Sequence, residues 1–276
     1  MKSHQLNLIF IFLFAFSWLN NGQEINYGSN QGKHILIDNT NLYYEEYGNG
    51  MPLLLLHGGF GSIHDFQKVI SKFAKHFKVI AVDSPGHGRS ELTDSLSFDL
   101  MTDYYSKMID QMKLDSVYII GYSDGGITGL LLAEKRPDKV KKVIASGANS
   151  KMDAVKPEFL DFLKLINPSF IETNLKEWLV DYKSKSPEKD KWEKFITYIT
   201  KMYSQDTLIT DEILANIKAK TLLVFGDRDA IKLDHGIELN QKIPGSQLCV
   251  LPNTPHEVFS ESPELISNIG IDFLNN

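Results

Sequence analysis

One cysteine, Cys249, stands in 276 residues, so the chain cannot form an internal disulfide. A chain of this length buries enough apolar surface to do without one. Asn-x-Ser/Thr acceptors with x other than proline are missing. No Lys/Arg run or basic stripe emerges from a net charge of −6, and nucleic acid is therefore not an expected partner. No group of His, Cys, Asp and Glu has metal-ligand spacing, and no glycine-rich stretch has phosphate-loop or dinucleotide spacing. Neither a metal nor a cofactor is expected. Repeats and low-complexity tracts are absent too. What is present is ordinary for a globular chain: 42% hydrophobic and 23% charged residues, in a length that suits one α/β domain with an insertion.

The one long apolar run lies at the start. Lys2 precedes Leu6–Leu19, which is broken only by Asn7 and Ser17. A membrane span needs about 20 apolar residues, so this run suits the core of a signal peptide better. Residues 1–22 are read as that signal, with a cut exposing Gln23. Ala15 and Ser17, at −3 and −1, offer a second cleavage site, and an uncleaved anchor is the alternative. No cysteine follows the run, which excludes a lipid anchor there. The remaining 23–276 are expected to be secreted or periplasmic, with no stable membrane span after cleavage.

Two strand-like runs, His34–Asp38 and Leu42–Tyr47, flank Asn39-Thr40-Asn41 and predict an antiparallel hairpin. Short, unbroken apolar runs follow at Leu53–Leu56, Lys78–Val82, Val117–Ile120, Val143–Ala145, Leu222–Phe225 and Leu248–Leu251. Continuous apolar runs alternating with helical periods describe strands covered on both faces, hence an α/β fold with a mostly parallel sheet. From about 151 to 219 no strand-like run appears. Phe159, Phe162, Leu163 and Ile166 recur at helical spacing, prolines 157, 168 and 187 punctuate, and Trp178, Tyr182, Trp192, Phe195 and Tyr198 supply surface to bury. This interval predicts a helical cap inserted over the C-terminal edge of the sheet.

The strongest chemical signal is Gly121-Tyr122-Ser123-Asp124-Gly125, directly after the run Val117–Ile120 and before a helical segment ending near Pro137. A serine at a sharp strand-to-helix turn adopts a strained backbone that flanking glycines make room for. The helix start behind it brings a positive dipole end to the place where negative charge would develop. A nucleophilic hydroxyl needs a base, and the base a carboxylate to orient it. His256 follows the last strand run, and the other histidines precede the serine or, as with His235, fall in a predicted helix. Gly226-Asp227-Arg228-Asp229 follows the run Leu222–Phe225. Asp229 is preferred there over Asp227 and Asp234, which read as turn or helix-capping residues. An oxyanion hole needs two backbone amides. Asp124 supplies one, and Gly59, in His57-Gly58-Gly59-Phe60-Gly61, is expected to supply the other. His57, His64 and His87 read as structural. A carboxylate on Asp124, beside the nucleophile, suits a substrate that is cationic near the scissile carbonyl, or merely favours the first turn of a helix.

The motifs HGGFGS at His57–Ser62, DSPGHGRS at Asp83–Ser90, GYSDGG around Ser123, GDRD ending at Asp229 and the late His256 resemble the α/β-hydrolase superfamily. Within it, Ser123–Thr128 and Gly147-Ala148-Asn149 are similar to valacyclovir hydrolase, an α-amino-acid ester hydrolase. That resemblance implies that Asp124 holds a substrate α-ammonium group. The expected activity is two-step hydrolysis of a small carboxylic ester by Ser123, His256 and Asp229. Peptide-bond cleavage, carbon–carbon cleavage or cofactor-free perhydrolysis on the same residues, and a non-catalytic small-molecule receptor, are the alternatives. The oligomeric state is not legible.

Overall fold

A computed structural model describes residues 26, 28–29, 32–204 and 209–276. The predicted signal segment lies outside the described residues. Eight strands form one sheet: β1 (Lys33–Ile37), β2 (Thr40–Tyr47), β3 (Pro52–Leu56), β4 (Lys78–Val82), β5 (Val117–Tyr122), β6 (Val140–Ser146), β7 (Lys220–Gly226) and β8 (Gln247–Leu251). Their order across the sheet is β1-β2-β4-β3-β5-β6-β7-β8. β2 runs antiparallel to both β1 and β4, and all other pairings are parallel. The expected α/β fold with a mostly parallel sheet is the fold observed.

The β1–β2 turn is tighter than the sequence suggested. Ile37 already pairs with Thr40, so only Asp38 and Asn39 bridge the strands. Both take the left-handed conformation, with φ of 46° and 65°. Two such residues give a turn whose twist matches that of paired strands, and Asp and Asn tolerate it best after glycine.

The helices among the described residues are α1 (Ile70–Phe73), α2 (Phe98–Gln111), α3 (Asp124–Lys135), α4 (Pro157–Leu165), α5 (Pro168–Asn174), α6 (Lys176–Lys185), α7 (Trp192–Met202), α8 (Asp211–Asn216), α9 (Leu233–Lys242), α10 (Val258–Glu261) and α11 (Pro263–Asn275). Successive strand residues point to opposite faces, and the core divides accordingly. Leu54, Leu56, Ile80 and Val82 join Met108, Ile109 and Leu130 from α2 and α3 on one face. Leu53, Leu55, Val79 and Ala81 join Phe73, Ile266 and Leu274 from α1 and α11 on the other. Leu53 to Leu56 are all fully buried, each worth about 1.5–3 kcal/mol relative to exposure. This two-sided burial is why the strands read as unbroken apolar runs.

Between β6 and β7 the described residues form α4 to α8 and short 3₁₀ turns, with no strand of the sheet. Tyr182, Trp192 and Phe195 are buried there. The central strand β3 has β4 on one side and β5 on the other, so the chain reverses its direction of winding around β3. A crevice outside the carboxyl ends of the strands at such a reversal is where open parallel sheets bind ligands. The β3 loop carrying Gly58 and Gly59 and the β5 turn carrying Ser123 meet there.

Candidate active site

Ser123 follows β5 and precedes α3, with φ 52° and ψ −117°. A residue with a Cβ pays for that left-handed backbone. The surroundings hold it: the Ser123 amide donates to the Ser146 carbonyl at 2.8 Å, and the amides of Gly126 and Ile127 donate to the Ser123 carbonyl at 2.8 and 3.0 Å. The glycines on either side are a steric necessity. A Cβ on Gly121 would lie 2.1 Å from the Gly125 carbonyl oxygen, and one on Gly125 would lie 1.9 Å from that of Leu56.

Three sequence-predicted residues converge. His256 Nε2 lies 3.0 Å from Ser123 Oγ, and His256 Nδ1 lies 2.6 Å from Asp229 Oδ1. A carboxylate has no proton to offer, so Nδ1–H donates to it and Nε2 is left to accept from the serine hydroxyl. Asp229 is itself fixed: its Oδ1 accepts from the Ile231 amide at 2.9 Å and its Oδ2 from the Gly226 amide at 3.2 Å, with the side chain fully buried. Burial favours the neutral His256 ring, but the Asp229 carboxylate outweighs it and raises the ring's pKa above the ordinary value of 6.5. Asp227 sits at the surface instead and accepts from the Thr254 amide at 3.0 Å. Asp234 is exposed in the first turn of α9, and His235, in the same helix, is buried with Nδ1 on Glu238 at 2.9 Å. Neither reaches the serine.

His57 lies beneath the β3 loop. Its Nε2 accepts from the Ser84 amide at 2.9 Å, so Nδ1–H donates to the Gly58 carbonyl at 2.7 Å. Burial drives its pKa down to about 3, and that of the neighbouring buried His87 to about 4. Two neutral rings there are structural, as expected. His64 is exposed, with its Nε2 2.8 Å from the Gln67 side-chain amide.

Asp124 opens α3 and is buried, with 9% of its surface exposed. Its Oδ2 accepts from the Tyr203 hydroxyl at 2.7 Å, and no other described group donates to the carboxylate. Burial, opposed by that hydrogen bond, lifts its pKa to about 6. A Cβ on Gly59 would lie 1.9 Å from the Tyr203 hydroxyl and 2.6 Å from Asp124 Oδ2, which places Gly59, Asp124 and Tyr203 side by side. The amides of Gly59 and Asp124 have no acceptor among the described residues.

Several residues at the site carry no sequence signal of their place in it. Tyr203 follows α7, and Trp178, on α6, donates from Nε1 to the Phe60 carbonyl at 2.9 Å. Phe159 of α4 packs its ring 6.0 Å from that of His256. Asp65 and Glu257 are carboxylates near Tyr122, whose hydroxyl pKa rises through burial and then through their charges. Helical spacing shows which residues of an inserted segment are apolar, but not what they touch.

A sheet of this order with a serine at the turn after β5 defines the α/β-hydrolase fold. A model of the alpha/beta hydrolase fold family matches residues 51–176, in line with that fold. The chain is 27% identical, over 87% of its length and 93% of the relative's, to 2-hydroxy-6-oxo-6-phenylhexa-2,4-dienoate hydrolase of Burkholderia cepacia. It is 25% identical, over 87% of its length and 85% of the relative's, to serine hydrolase BPHL of Homo sapiens. Among solved structures, the meta-cleavage product hydrolase CumD superposes with a TM-score of 0.73 at 20% identity, covering 88% of this chain and 98% of that one.

Proposed function

We propose that the protein is a serine hydrolase that cleaves small carboxylic esters through an acyl-enzyme, with Ser123 as nucleophile, His256 as general base and Asp229 as its orienting acid. The observation that carries this reading is the continuous hydrogen-bond chain from Ser123 Oγ through His256 to Asp229, at 3.0 and 2.6 Å, ending on a serine held at φ 52°. Ser123 attacks the carbonyl carbon while His256 Nε2 takes its proton. The Gly59 and Asp124 amides receive the developing oxyanion, a contribution worth about 3–4 kcal/mol per donor. His256 returns the proton to the leaving alcohol, and water then releases the acid by the same route. This chemistry needs no cofactor.

The acyl group is proposed to bear an α-ammonium, as in α-amino-acid esters. Tyr203 occupies one oxygen of the buried Asp124 carboxylate and leaves Oδ1 for a second donor. None of the three arginines faces the site: Arg89 lies over Tyr43, Arg136 pairs with Asp110 and Asp138, and Arg228 bonds Asn253. A dienoate such as the Burkholderia relative's name describes would bring its carboxylate to Asp124 with no arginine to receive it, which favours ester over carbon–carbon cleavage. The apolar leader at 1–22 extends the proposal to a secreted or periplasmic setting.

The test compares kcat/KM for an aminoacyl ester and its des-amino analogue. A charge-assisted hydrogen bond in a closed site is worth about 1.5–3 kcal/mol, or roughly ten- to more than a hundredfold. Asp124→Asn should erase that preference and spare the simple ester, because the backbone amide stays. Equal rates on the two esters in wild type would leave Asp124 as a helix-start residue.

A further inference from the structure

The loop after β3 is built in a way its own sequence does not favour. The Gly61 amide donates to the Gly58 carbonyl at 3.2 Å, closing a turn with Gly59 and Phe60 at its centre. Phe60 has φ 60°, while Gly59 is not left-handed. That combination is a type II pattern, in which glycine is the usual residue at the third position. Phenylalanine is strained there, and strain of this kind persists only where neighbours over-determine it. A type I turn would suit Phe60 better, and the change turns over the Gly59–Phe60 peptide by about half a revolution, swinging the Gly59 carbonyl and the Phe60 N–H beside the Gly59 amide.

The neighbours that hold Phe60 come from the helical segment between β6 and β7. Trp178 Nε1–H donates to the Phe60 carbonyl at 2.9 Å. The Phe60 ring meets Trp178, Phe195 and Tyr203 edge-on or tilted, at 5.8, 6.2 and 6.1 Å between centroids. Trp178 is itself held in a stack, 5.2 Å from Tyr182 and 6.2 Å from Phe195. Tyr203 presses its hydroxyl on Gly59 next to Asp124. Among the described residues, no group of the sheet domain donates to the Phe60 carbonyl.

We infer that Trp178 is a positioning residue for the oxyanion hole: its indole N–H holds the Phe60 carbonyl and with it the strained turn, which fixes the loop carrying the Gly59 amide and keeps the adjoining Gly59 carbonyl from turning over. The inference rests on the serine-hydrolase reading. It makes the helical segment part of the catalytic geometry as well as a wall of the substrate site.

Replacing Trp178 with phenylalanine in the full chain keeps an aromatic ring in the stack and removes the donor. The measurements are kcat and KM on a p-nitrophenyl ester, Ki for a trifluoromethyl ketone that forms a tetrahedral adduct, and Tm. Misplacing a group by about 1 Å can cost about a hundredfold. The expected result is a fall in kcat of tenfold or more, a matching rise in Ki, and KM within twofold. In a Phe60→Gly background, where the turn needs no lock, the same change should cost less than threefold. Kinetics of Trp178→Phe within twofold of wild type, or a lower Tm alone, would overturn the inference. Should that variant not fold, the isosteric benzothienyl-alanine at position 178 removes only the N–H and carries the same expectations. A folded wild type that neither turns over esters nor reacts with a fluorophosphonate overturns the serine-hydrolase reading, and this inference with it.

Discussion

Replacing Asp229 by asparagine keeps the shape of the side chain and removes its charge. Three donors surround the carboxylate: His256 Nδ1 at 2.6 Å and the Ile231 amide at 2.9 Å on Oδ1, and the Gly226 amide at 3.2 Å on Oδ2. An asparagine oxygen at the Oδ1 position keeps two of these and sets its NH₂ against Gly226, the longest contact. The reverse placement loses both short bonds and forces His256 to accept at Nδ1, the wrong tautomer. The first placement is therefore favoured, and the loss is mainly that of charge. A hydrogen bond to a charged group is worth about 1–2 kcal/mol more than a neutral one, which gives a fall in kcat of roughly five- to thirtyfold. The second placement would cost about 10⁴, as an inverted tautomer does in a comparable triad. Asp227→Asn should stay within about twofold, since Asp227 is exposed and an amide oxygen can still accept from Thr254. Steady-state kinetics on one ester, with circular dichroism to check folding, decide the matter. Equal and mild effects of the two substitutions would refute the assignment.

Two further outcomes concern protonation. His256 must be neutral to take the serine proton, and Asp229 holds its pKa above 6.5 against burial. The acid limb of kcat/KM should thus have its midpoint above 6.5 and move to lower pH in Asp229→Asn; a midpoint that does not move would show that another group titrates. His57 and His87, driven to about 3 and about 4 by burial, should keep constant ring chemical shifts from pH 8 to pH 5 in ¹H–¹³C spectra. A titration of either ring with a midpoint above 5.5 would contradict the hydrogen bonding drawn beneath the β3 loop.

The parts of this molecule legible in the sequence are those where local spacing and tertiary role coincide. Strands covered on both faces, such as Leu53–Leu56, have no polar side to present, so they stand out. The turn at Ser123 is visible because its glycines are fixed by backbone contacts only a few residues away or across one strand. Asp227 and Asp229 differ by two positions in one turn, and the sequence separates them only by preference. Burial separates them by geometry: Asp229 is enclosed with two backbone amides, and Asp227 faces solvent. The hairpin turn lies earlier than composition suggests because Thr40 and Asn41, turn-like residues, already pair with Ile37 and Leu36. Least legible are Trp178 and Tyr203. Their partners, Phe60 and Asp124, lie 118 and 79 residues away, and no periodicity encodes that distance.

The central claim is that Ser123 is an activated nucleophile, and active-site labelling tests it most directly. The purified protein is treated with a fluorophosphonate probe, digested, and the adduct located by mass spectrometry. The account predicts one adduct, on the peptide containing Ser123, and none in a folded Ser123→Ala variant. Undiminished labelling of that variant, or a folded wild type that takes no label, would contradict it.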